Sequence, residues 1–237
     1  MHDIELVTSI ICPFAQRTRI ALAEKGVDYK STEIEFLGDR FDKPDWFLEL
    51  TPYATVPVLK MNGDVIYDSD VVNQYIEDVL PEPSLMPGDA NGRAMARLWI
   101  NYSNTKFIRG FYGVIMSQDE ARIDQFRKEF HKVLRFMESE GLLKLGTDGP
   151  YWMGKNFSLV DITFHPFIER FGMLDHYRGF KIPDDCTRLL KWIDAVRERP
   201  SVANTILSDE FHIDIYTHYA RGTQKGVTAQ EMSKVLA

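Results

Sequence analysis

The chain has 237 residues, of which 44% are hydrophobic and 27% charged, a composition typical of folded globular proteins. This length allows one large domain or two smaller ones, and either can bury a hydrophobic core. The formal charge of −7 and the lack of a basic patch disfavour binding to nucleic acid. We expect no membrane-spanning segment, since no apolar run approaches the required length, and no metal, since the six histidines lack zinc-ligand spacing.

The cysteine content and the first residues bear on the cellular compartment. The sequence contains two cysteines, Cys12 and Cys186, and its opening residues lack the basic and apolar regions of a signal peptide. Few cysteines without an export signal are typical of a reducing compartment. The sequence therefore predicts a cytoplasmic protein.

The most informative stretch surrounds Cys12. An apolar run from Ile4 to Ile11 predicts a buried strand, and Phe14 to Lys25 predicts a helix that Gly26 ends. Pro13 occupies the first helical position, where its missing N–H costs nothing. Cys12 is thus expected at a helix N-terminus, where free backbone N–H groups and the helix dipole lower the pKa of a thiol. This makes it a candidate nucleophile.

Two further considerations limit this interpretation of Cys12. A lone cysteine at the end of a buried strand is more often a small packed apolar residue, but packing alone requires neither the proline nor the helix N-terminus that follow Cys12. A local dithiol is not available, because the fourth residue of a Cys-x-x-Cys motif is replaced by Ala15. Redox chemistry at Cys12 would therefore need a thiol from another molecule.

The segments after this helix continue the pattern of a small α/β domain. A strand over Tyr29 to Ile34 gives a strand–helix–strand unit, which in one sheet is parallel and right-handed. A polar loop is predicted over Gly38 to Asp45, and a short helix over Asp45 to Leu50. Asn62-Gly63 between two short apolar strands indicates a hairpin with a type I′ turn, since both central residues of that turn need positive φ.

The end of this first half carries two further motifs. Pro57 begins a predicted strand, which is tolerated at a sheet edge or where something other than a strand meets the backbone; a plain turn proline is the alternative. Asp68-Ser69-Asp70 opens a helix to about Leu80, and such residues are most often only helix caps. We predict a first domain over residues 1–80 and a linker over 81–92.

The remainder is predicted to be helical. Ser158 to Asp161 fits a capping box, and Gly141 to Lys155 is predicted to be a loop because glycines interrupt it. We predict a helical domain over residues 93–221 and a mobile polar tail over 222–237. Its helices are predicted over Ala90 to Gly110, Asp119 to Ser139, Asp185 to Glu198 and Ser208 to Tyr219.

Four motifs in this order resemble the glutathione S-transferase family. They are Cys-Pro-Phe-Ala after the first strand, Val56-Pro57 before a later strand, Asp68-Ser69 at a helix start and Ser-x-x-Asp in the helical half. The segment Cys12 to Ala15 resembles the Omega class and related bacterial glutathione lyases. The resemblance covers about residues 3–221. It implies an α/β thioredoxin-like N-terminal domain, an all-α C-terminal domain and a homodimer.

The resemblance also implies where glutathione binds as a co-substrate. Pro57 would be cis, and the backbone of Val56 would pair with the tripeptide as an added strand. Asp68 and Ser69 would hold the γ-glutamyl end, with the Ser69 hydroxyl and the helix N-terminus matching its carboxylate. Phe14 would line the site.

Other parts of the implied site are less well defined. Several family members carry a lysine where this chain has Leu50, so the contact to the glycyl carboxylate is open, and Lys43 is a candidate substitute. Candidates for an acceptor pocket are aromatic residues of the helical half, although aromatics at helical spacing are more often core: Phe107, Tyr112, Tyr216 and Tyr219.

By this resemblance, Cys12 in place of the Ser or Tyr of other classes changes the expected chemistry. A cysteine can form a mixed disulfide with glutathione that a second glutathione reduces. We therefore expect an Omega-like thiol transferase acting in reductive deglutathionylation, with lyase or dehydroascorbate reductase-like activity as related forms. The acceptor substrate is not defined by the sequence.

Three alternatives stay open. One is conjugation or reductive dehalogenation of aromatic electrophiles, and another is a non-catalytic carrier of aromatic ligands. The third is a channel-like relative that inserts into membranes. Polar residues near the first helix, namely Gln16, Arg17 and Arg19, disfavour it.

Overall fold

The computed structural model describes residues 3–35 and 43–236, which form two compact units. The first contains the chain up to Ser84 together with Lys225–Glu231. The second contains Leu85–Gln224 and the residues from Met232 onwards. The break after Ser84 falls inside the linker predicted over 81–92. Most of the polar loop predicted over Gly38 to Asp45 lies outside the described residues.

The first unit is built on a four-stranded mixed sheet. Its strands are β1 (Ile4–Thr8), β2 (Lys30–Glu33), β3 (Val58–Met61) and β4 (Asp64–Tyr67). They lie in the order β2-β1-β3-β4, in which β1 pairs in parallel with β2 and antiparallel with β3, and β3 pairs antiparallel with β4. The helices are α1 (Pro13–Lys25), α2 (Asp45–Leu50) and α3 (Ser69–Val79).

Local sequence signals set the boundaries of these elements. The first helix begins at Pro13 and ends before Gly26, whose φ of 64° is the left-handed conformation that glycine adopts without strain. Asn62 and Gly63 have φ values of 54° and 95°, as the hairpin prediction requires. The predicted parallel unit β1-α1-β2 and the hairpin β3-β4 are therefore confirmed.

Alternation along the strands divides the first unit into two apolar clusters. One cluster joins Leu6 and Leu59 of the sheet to Leu22 of α1 and Ile76 of α3. The neighbouring residues of the same strands have their side chains on the opposite face of the sheet. A second cluster there includes Val7, Ala15, Phe47, Val56 and Val58, and Cys12 packs against it. The sheet is thus covered on both faces, and Cys12 lies beside the cluster to which α2 contributes.

The second unit is helical throughout its named elements. Its helices are α4 (Ala90–Tyr102), α5 (Ile108–Met116), α6 (Glu120–Phe136), α7 (Leu143–Leu145), α8 (Leu159–Ile168), α9 (Phe171–Arg178), α10 (Thr187–Arg197), α11 (Pro200–Ala203), α12 (Asp209–Ala220) and α13 (Val227–Leu236), the last with residues in both units. A π-helical segment joins α4 to α5 (Ser103–Phe107), and another joins α6 to α7 (Met137–Leu142).

The capping box predicted at the start of α8 is confirmed. Asp161 Oδ2 accepts hydrogen bonds from the N–H and the hydroxyl of Ser158, both at 2.8 Å. Its Oδ1 accepts from the Trp152 N–H at 2.8 Å and from the Trp192 indole N–H at 2.7 Å. One buried carboxylate therefore joins the start of α8 to the preceding loop and to α10.

Two predicted segments differ from the structure. Gly141 lies within a helix rather than in a loop. A Cβ at this position would come within 2.7 Å of the Trp152 ring. This glycine serves close packing rather than chain reversal. Beyond residue 221, where a mobile tail is predicted, the structure has α13 over Val227–Leu236. No helix within residues 3–35 and 43–236 is long and apolar enough to cross a bilayer.

Candidate active site

Cys12 is the residue immediately before α1, as the sequence predicts. Its backbone is extended, with φ of −86° and ψ of 118°, and Pro13 follows at the first helical position. The Cys12 N–H donates to the Ser9 carbonyl at 3.1 Å, which closes a tight turn, and the Cys12 carbonyl accepts from the Gln16 N–H at 3.0 Å. The thiol is half-buried and lies 3.8 Å from the Val56 carbonyl oxygen. This geometry presents sulfur at a helix N-terminus and leaves it accessible.

Cys186 also precedes a helix, as the residue before α10, but its surroundings differ from those of Cys12. Its side chain is completely buried. Burial raises the pKa of its thiol to about 11, and the negative charges of Asp185 and Glu138 add to this effect. The thiol of Cys186 therefore stays protonated at neutral pH and is not a nucleophile.

Val56 and Pro57 lie beside Cys12. The peptide bond between them is cis, as the resemblance implies, and both residues precede β3. The Val56 carbonyl faces the Cys12 thiol. The described part of the chain offers no hydrogen-bond partner to the Val56 N–H. The Val56 backbone, beside the accessible Cys12 thiol, can therefore pair with an extended peptide in the way that one strand pairs with the edge of a sheet.

Asp68 caps α3, and its backbone adopts an unusual conformation. Its Oδ1 accepts from the N–H groups of Asp70 at 3.0 Å and Val71 at 3.4 Å. Its φ is 73°, in the left-handed region that non-glycine residues rarely adopt. Such strain is retained where a site requires it. The strained residue fixes the direction of Ser69, the first residue of α3.

Ser69 is joined to a buried cation that the sequence analysis did not assign to the site. The Arg17 guanidinium, fully buried, donates to Ser69 Oγ at 3.1 Å and to Asp70 Oδ1 at 3.3 Å. It also lies 5.2 Å from the centre of the Phe14 ring. The available signal was the helical register, since Arg17 falls one turn after buried Pro13 on the same face of α1. Arg17 thus provides positive charge beneath the start of α3.

Lys43 occupies a defined place close to this segment. Its ammonium group donates to the Ala54 carbonyl at 2.6 Å, and the side chain is mostly buried. Ala54 has a φ of 51° and ends a turn in which its N–H bonds to the Thr51 carbonyl. Leu50, in contrast, is half-buried against the apolar cluster around Phe47. Lys43 therefore brings a cation to the backbone that leads into Val56.

The four aromatic residues named for an acceptor pocket lie in the aromatic core of the second unit. Phe107 is fully buried and contacts other phenylalanine rings at centroid distances from 5.2 to 6.5 Å. Tyr112 and Tyr216 are also buried, and each ring packs within 6 Å of half-buried Tyr219. Packing in this core is sufficient to explain why these four positions are aromatic. Their role in an acceptor pocket stays a prediction.

Among residues 3–35 and 43–236, no group of three or more His, Cys, Asp and Glu side chains is arranged to hold a metal ion.

A mixed four-stranded sheet, a cis proline before β3 and a helical second unit define the glutathione transferase fold. Sequence models agree: "Glutathione S-transferase, N-terminal domain" matches residues 11–79, and "Glutathione S-transferase, C-terminal domain" matches residues 120–195. The chain belongs to the glutathione S-transferase family.

Curated relatives support this membership over most of the chain. Glutathione S-transferase 3 of Glycine max is 31% identical over 206 residues, covering 86% of this chain and 90% of the relative. Probable glutathione S-transferase DHAR1, cytosolic, of Oryza sativa subsp. japonica is 32% identical over 201 residues, covering 84% and 85%.

Solved structures with the same fold come from more than one class. The Tau class transferase of mango, Mangifera indica, has a TM-score of 0.83 at 26% identity, covering 99% of both chains. Omega 3C of Trametes versicolor has a TM-score of 0.80 at 29% identity, covering 92% of this chain and 91% of that one. Rice GST1, solved in complex with glutathione, has a TM-score of 0.81 at 27% identity, covering 94% and 98%. The fold is shared, and the class is not fixed by these matches.

Proposed function

We propose that this chain is a glutathione-dependent thiol transferase of the Omega type that acts through a Cys12 thiolate. The observation that carries the proposal is the placement of a half-buried thiol directly before α1, beside the backbone of Val56. A hydroxyl in that position can only stabilise the thiolate of glutathione, whereas a cysteine can itself attack sulfur.

The residues around Cys12 fit glutathione as the co-substrate. The Val56 N–H and carbonyl are suited to pair with the extended tripeptide, next to Pro57. Ser69 Oγ and the Ser69 N–H, the first of α3, are suited to the γ-glutamyl carboxylate, because the next two N–H groups already donate to Asp68; buried Arg17 adds positive charge there. Asp68 holds the start of α3 in place and can accept a hydrogen bond from the γ-glutamyl ammonium. Phe14, in the first turn of α1, lines the site.

The glycyl carboxylate needs a different partner, since Leu50 is apolar. We assign it to Lys43, whose ammonium group already lies on the backbone at Ala54.

The proposed reaction has two thiol–disulfide exchange steps. The Cys12 thiolate attacks the glutathione sulfur of a mixed disulfide, so that a sulfur–sulfur bond forms to Cys12 and the acceptor leaves as a thiolate that takes up a proton from water. A second glutathione thiolate then attacks the Cys12 disulfide, giving glutathione disulfide and restoring the Cys12 thiolate. The second thiol must come from solution, because position 15 is alanine and Cys186 is buried.

Conjugation of glutathione to aromatic electrophiles is the second candidate function. The similarity to a Tau class transferase over 99% of both chains favours it. In that case Cys12 would donate a hydrogen bond to the glutathione thiolate rather than attack sulfur. A carrier of aromatic ligands without turnover is the remaining alternative. We also propose that the chain is a homodimer, as the family resemblance implies, and that it is cytoplasmic, in keeping with its two cysteines.

Substitution of Cys12 separates these functions. Cys12→Ala and Cys12→Ser should both abolish glutathione-dependent reduction of mixed disulfides, and Cys12→Ser should retain some conjugation, since a hydroxyl can still bond to a thiolate. The assay panel is a mixed disulfide, dehydroascorbate, an aryl-ketone thioether and a chlorinated aromatic. Glutathione binding, measured by calorimetry, should persist in Cys12→Ala.

Cys186→Ala is the matched control, because it removes the buried thiol and should leave disulfide reduction unchanged. If Cys12→Ala keeps full turnover on disulfides and thioethers, thiol transfer is excluded and conjugation takes its place. If no compound in the panel is turned over although glutathione binds, the carrier function remains.

A further inference from the structure

The segment between β1 and Cys12 is held from both sides by side chains of other elements. On one side the Glu33 carboxylate, at the end of β2, accepts a hydrogen bond from the Ile10 N–H. On the other side the Arg19 guanidinium donates to Thr8 Oγ1 at 3.0 Å, to the Ser9 carbonyl at 2.8 Å and to the Ile10 carbonyl at 3.4 Å. These contacts hold the end of β1 and the loop that follows it, in which Ile10 is exposed.

One acceptor in this set links Arg19 directly to the reactive residue. The Ser9 carbonyl receives the Arg19 guanidinium and also the Cys12 N–H, which is 3.1 Å away. The position of the Ser9 carbonyl oxygen therefore fixes the position of the Cys12 backbone N–H, and with it that of Cys12 relative to α1. Because Arg19 lies on α1 itself, it fastens the turn to the helix whose N-terminus faces the thiol.

We propose that Arg19 is a positioning residue for Cys12, which holds the Ser9–Cys12 turn so that the thiol stays at the N-terminus of α1. The proposal rests on the proposed function only in taking Cys12 as the nucleophile. A planar guanidinium reaches three oxygens of one loop at fixed angles, whereas an ammonium group on a flexible stem does not. Arg19 acts by position, because a turn that is held in place keeps the Cys12 sulfur at the end of α1, where the helix N-terminus favours negative charge.

The test compares Arg19→Lys with Arg19→Gln and follows the rate of Cys12 alkylation by iodoacetamide against pH, without glutathione. Lysine retains the positive charge and loses the forked geometry, and glutamine loses both. If Arg19 acts by position, both variants should shift the alkylation profile to higher pH and react about fivefold to tenfold more slowly below the free thiol pKa of about 8.5. The kcat for disulfide reduction should fall in parallel, with the KM for glutathione within about twofold.

Arg188→Lys is the matched control. Its guanidinium also clamps a loop by donating to carbonyls, those of Gly149 at 2.8 Å and of Gly146 and Tyr151 at 3.2 Å, in the second unit. This variant should lower the urea midpoint of unfolding and leave the Cys12 profile unchanged. Thr8→Val removes one of the three Arg19 acceptors and should give a smaller shift of the same sign.

Three results would overturn the proposal. A lowered unfolding midpoint with an unchanged alkylation profile in both Arg19 variants would make Arg19 a stabilising residue only. A normal profile in Arg19→Lys with a shifted one in Arg19→Gln would show that charge, and not position, is responsible. If the unmodified protein alkylates with the pKa of a free thiol, the thiolate itself is absent, and the proposed function fails with it.

Discussion

At the scale of single residues, the candidate site depends on a cation that is not exposed to the ligand. Arg17 is fully buried and donates to Ser69 Oγ and Asp70 Oδ1. A charge removed from water must be paired, and here it is paired with the first two residues of α3. The Ser69 hydroxyl accepts this bond and so keeps its own proton to donate. We expect that proton to point to a bound carboxylate.

This arrangement predicts the effect of Ser69→Ala. The Michaelis constant for glutathione should rise at least about tenfold, because a hydrogen bond to a charged group contributes roughly 1.5–3 kcal/mol. The alkylation profile of Cys12 should not change. Thr18→Val is the matched control, since Thr18 Oγ1 makes a comparable buried bond between α1 and α3, to Asn73 Oδ1 at 3.0 Å. If Ser69→Ala binds glutathione as well as Thr18→Val does, Ser69 has no part in binding.

At the scale of elements, one buried ion pair joins two helices of the first unit to the segment that leaves it. Lys25, the last residue of α1, contacts Glu77 of α3 at 2.6 Å and the Pro83 carbonyl at 2.8 Å. The Ser84 hydroxyl donates to the other oxygen of the Glu77 carboxylate at 2.8 Å. The side chains of Lys25 and Glu77 are 0% and 5% exposed, so solvent screens this pair little.

Removing one partner of this pair should be more harmful than removing both. Glu77→Leu leaves the Lys25 charge buried without its carboxylate and should lower the free energy of unfolding by about 3–5 kcal/mol, measured by urea denaturation. Lys25→Met combined with Glu77→Leu should recover most of that loss, because two apolar side chains need no desolvated charge. Lys30→Met, which breaks an exposed pair with Glu5, should cost less than about 1 kcal/mol. Additive losses in the double variant would contradict this account.

At the scale of the whole molecule, the parts predicted correctly from the sequence are those with local causes. Pro13 and Gly26 bound α1, Asn62-Gly63 makes the hairpin, and Ser158 with Asp161 makes the capping box, each within a few residues of chain. Such signals act on the backbone directly and need no knowledge of distant contacts. The fold could be predicted because these local elements occur along the chain in the order that the glutathione transferase fold requires.

The parts that the sequence analysis missed depend on distant contacts. Arg17 meets Ser69 across 52 positions of the chain, and Gly141 is a glycine because Trp152 packs against it. The helical register indicates that Arg17 is buried, but no sequence pattern pairs Arg17 with Ser69 or Gly141 with Trp152. The class within the family is open for a similar reason, since Cys12 resembles the Omega class while a Tau class structure matches the whole chain. In such a fold, a change of one residue at the site can change the chemistry without changing the architecture.

Acid stability of the whole molecule should depend on a buried histidine of the second unit. His165 is completely buried in α8, and neither ring nitrogen has a hydrogen-bond partner among the described residues. Burial lowers the pKa of His165 to about 4; the Glu169 carboxylate, 4.0 Å from Nε2, opposes this, and the positive charges of Arg197 and Arg170 add to it. His165 is therefore neutral in the folded protein down to a pH at which an unfolded histidine is already charged.

The sign of the pH effect follows from this pKa. Between the ordinary histidine value of about 6.5 and the folded value, the unfolded chain binds more protons, so the free energy of unfolding falls as the pH falls through this range. The full loss for a shift of this size is about 3 kcal/mol, since each pKa unit corresponds to about 1.4 kcal/mol. Glu5 contributes at lower pH, because hydrogen bonds from Thr32 and Lys30 lower its pKa to about 2.

The measurement is urea unfolding at several pH values from 7 to 4 for the unmodified protein and for His165→Leu. The slope of the unfolding free energy against pH should be smaller in the variant, by the equivalent of up to one proton, because leucine does not titrate. This holds whatever the stability of the variant at pH 7. His176→Leu, at an exposed position of α9, should retain the original slope. Parallel slopes for the unmodified protein and His165→Leu would mean that His165 is protonated in the fold as readily as in the unfolded chain, and the acid sensitivity would then have to arise elsewhere.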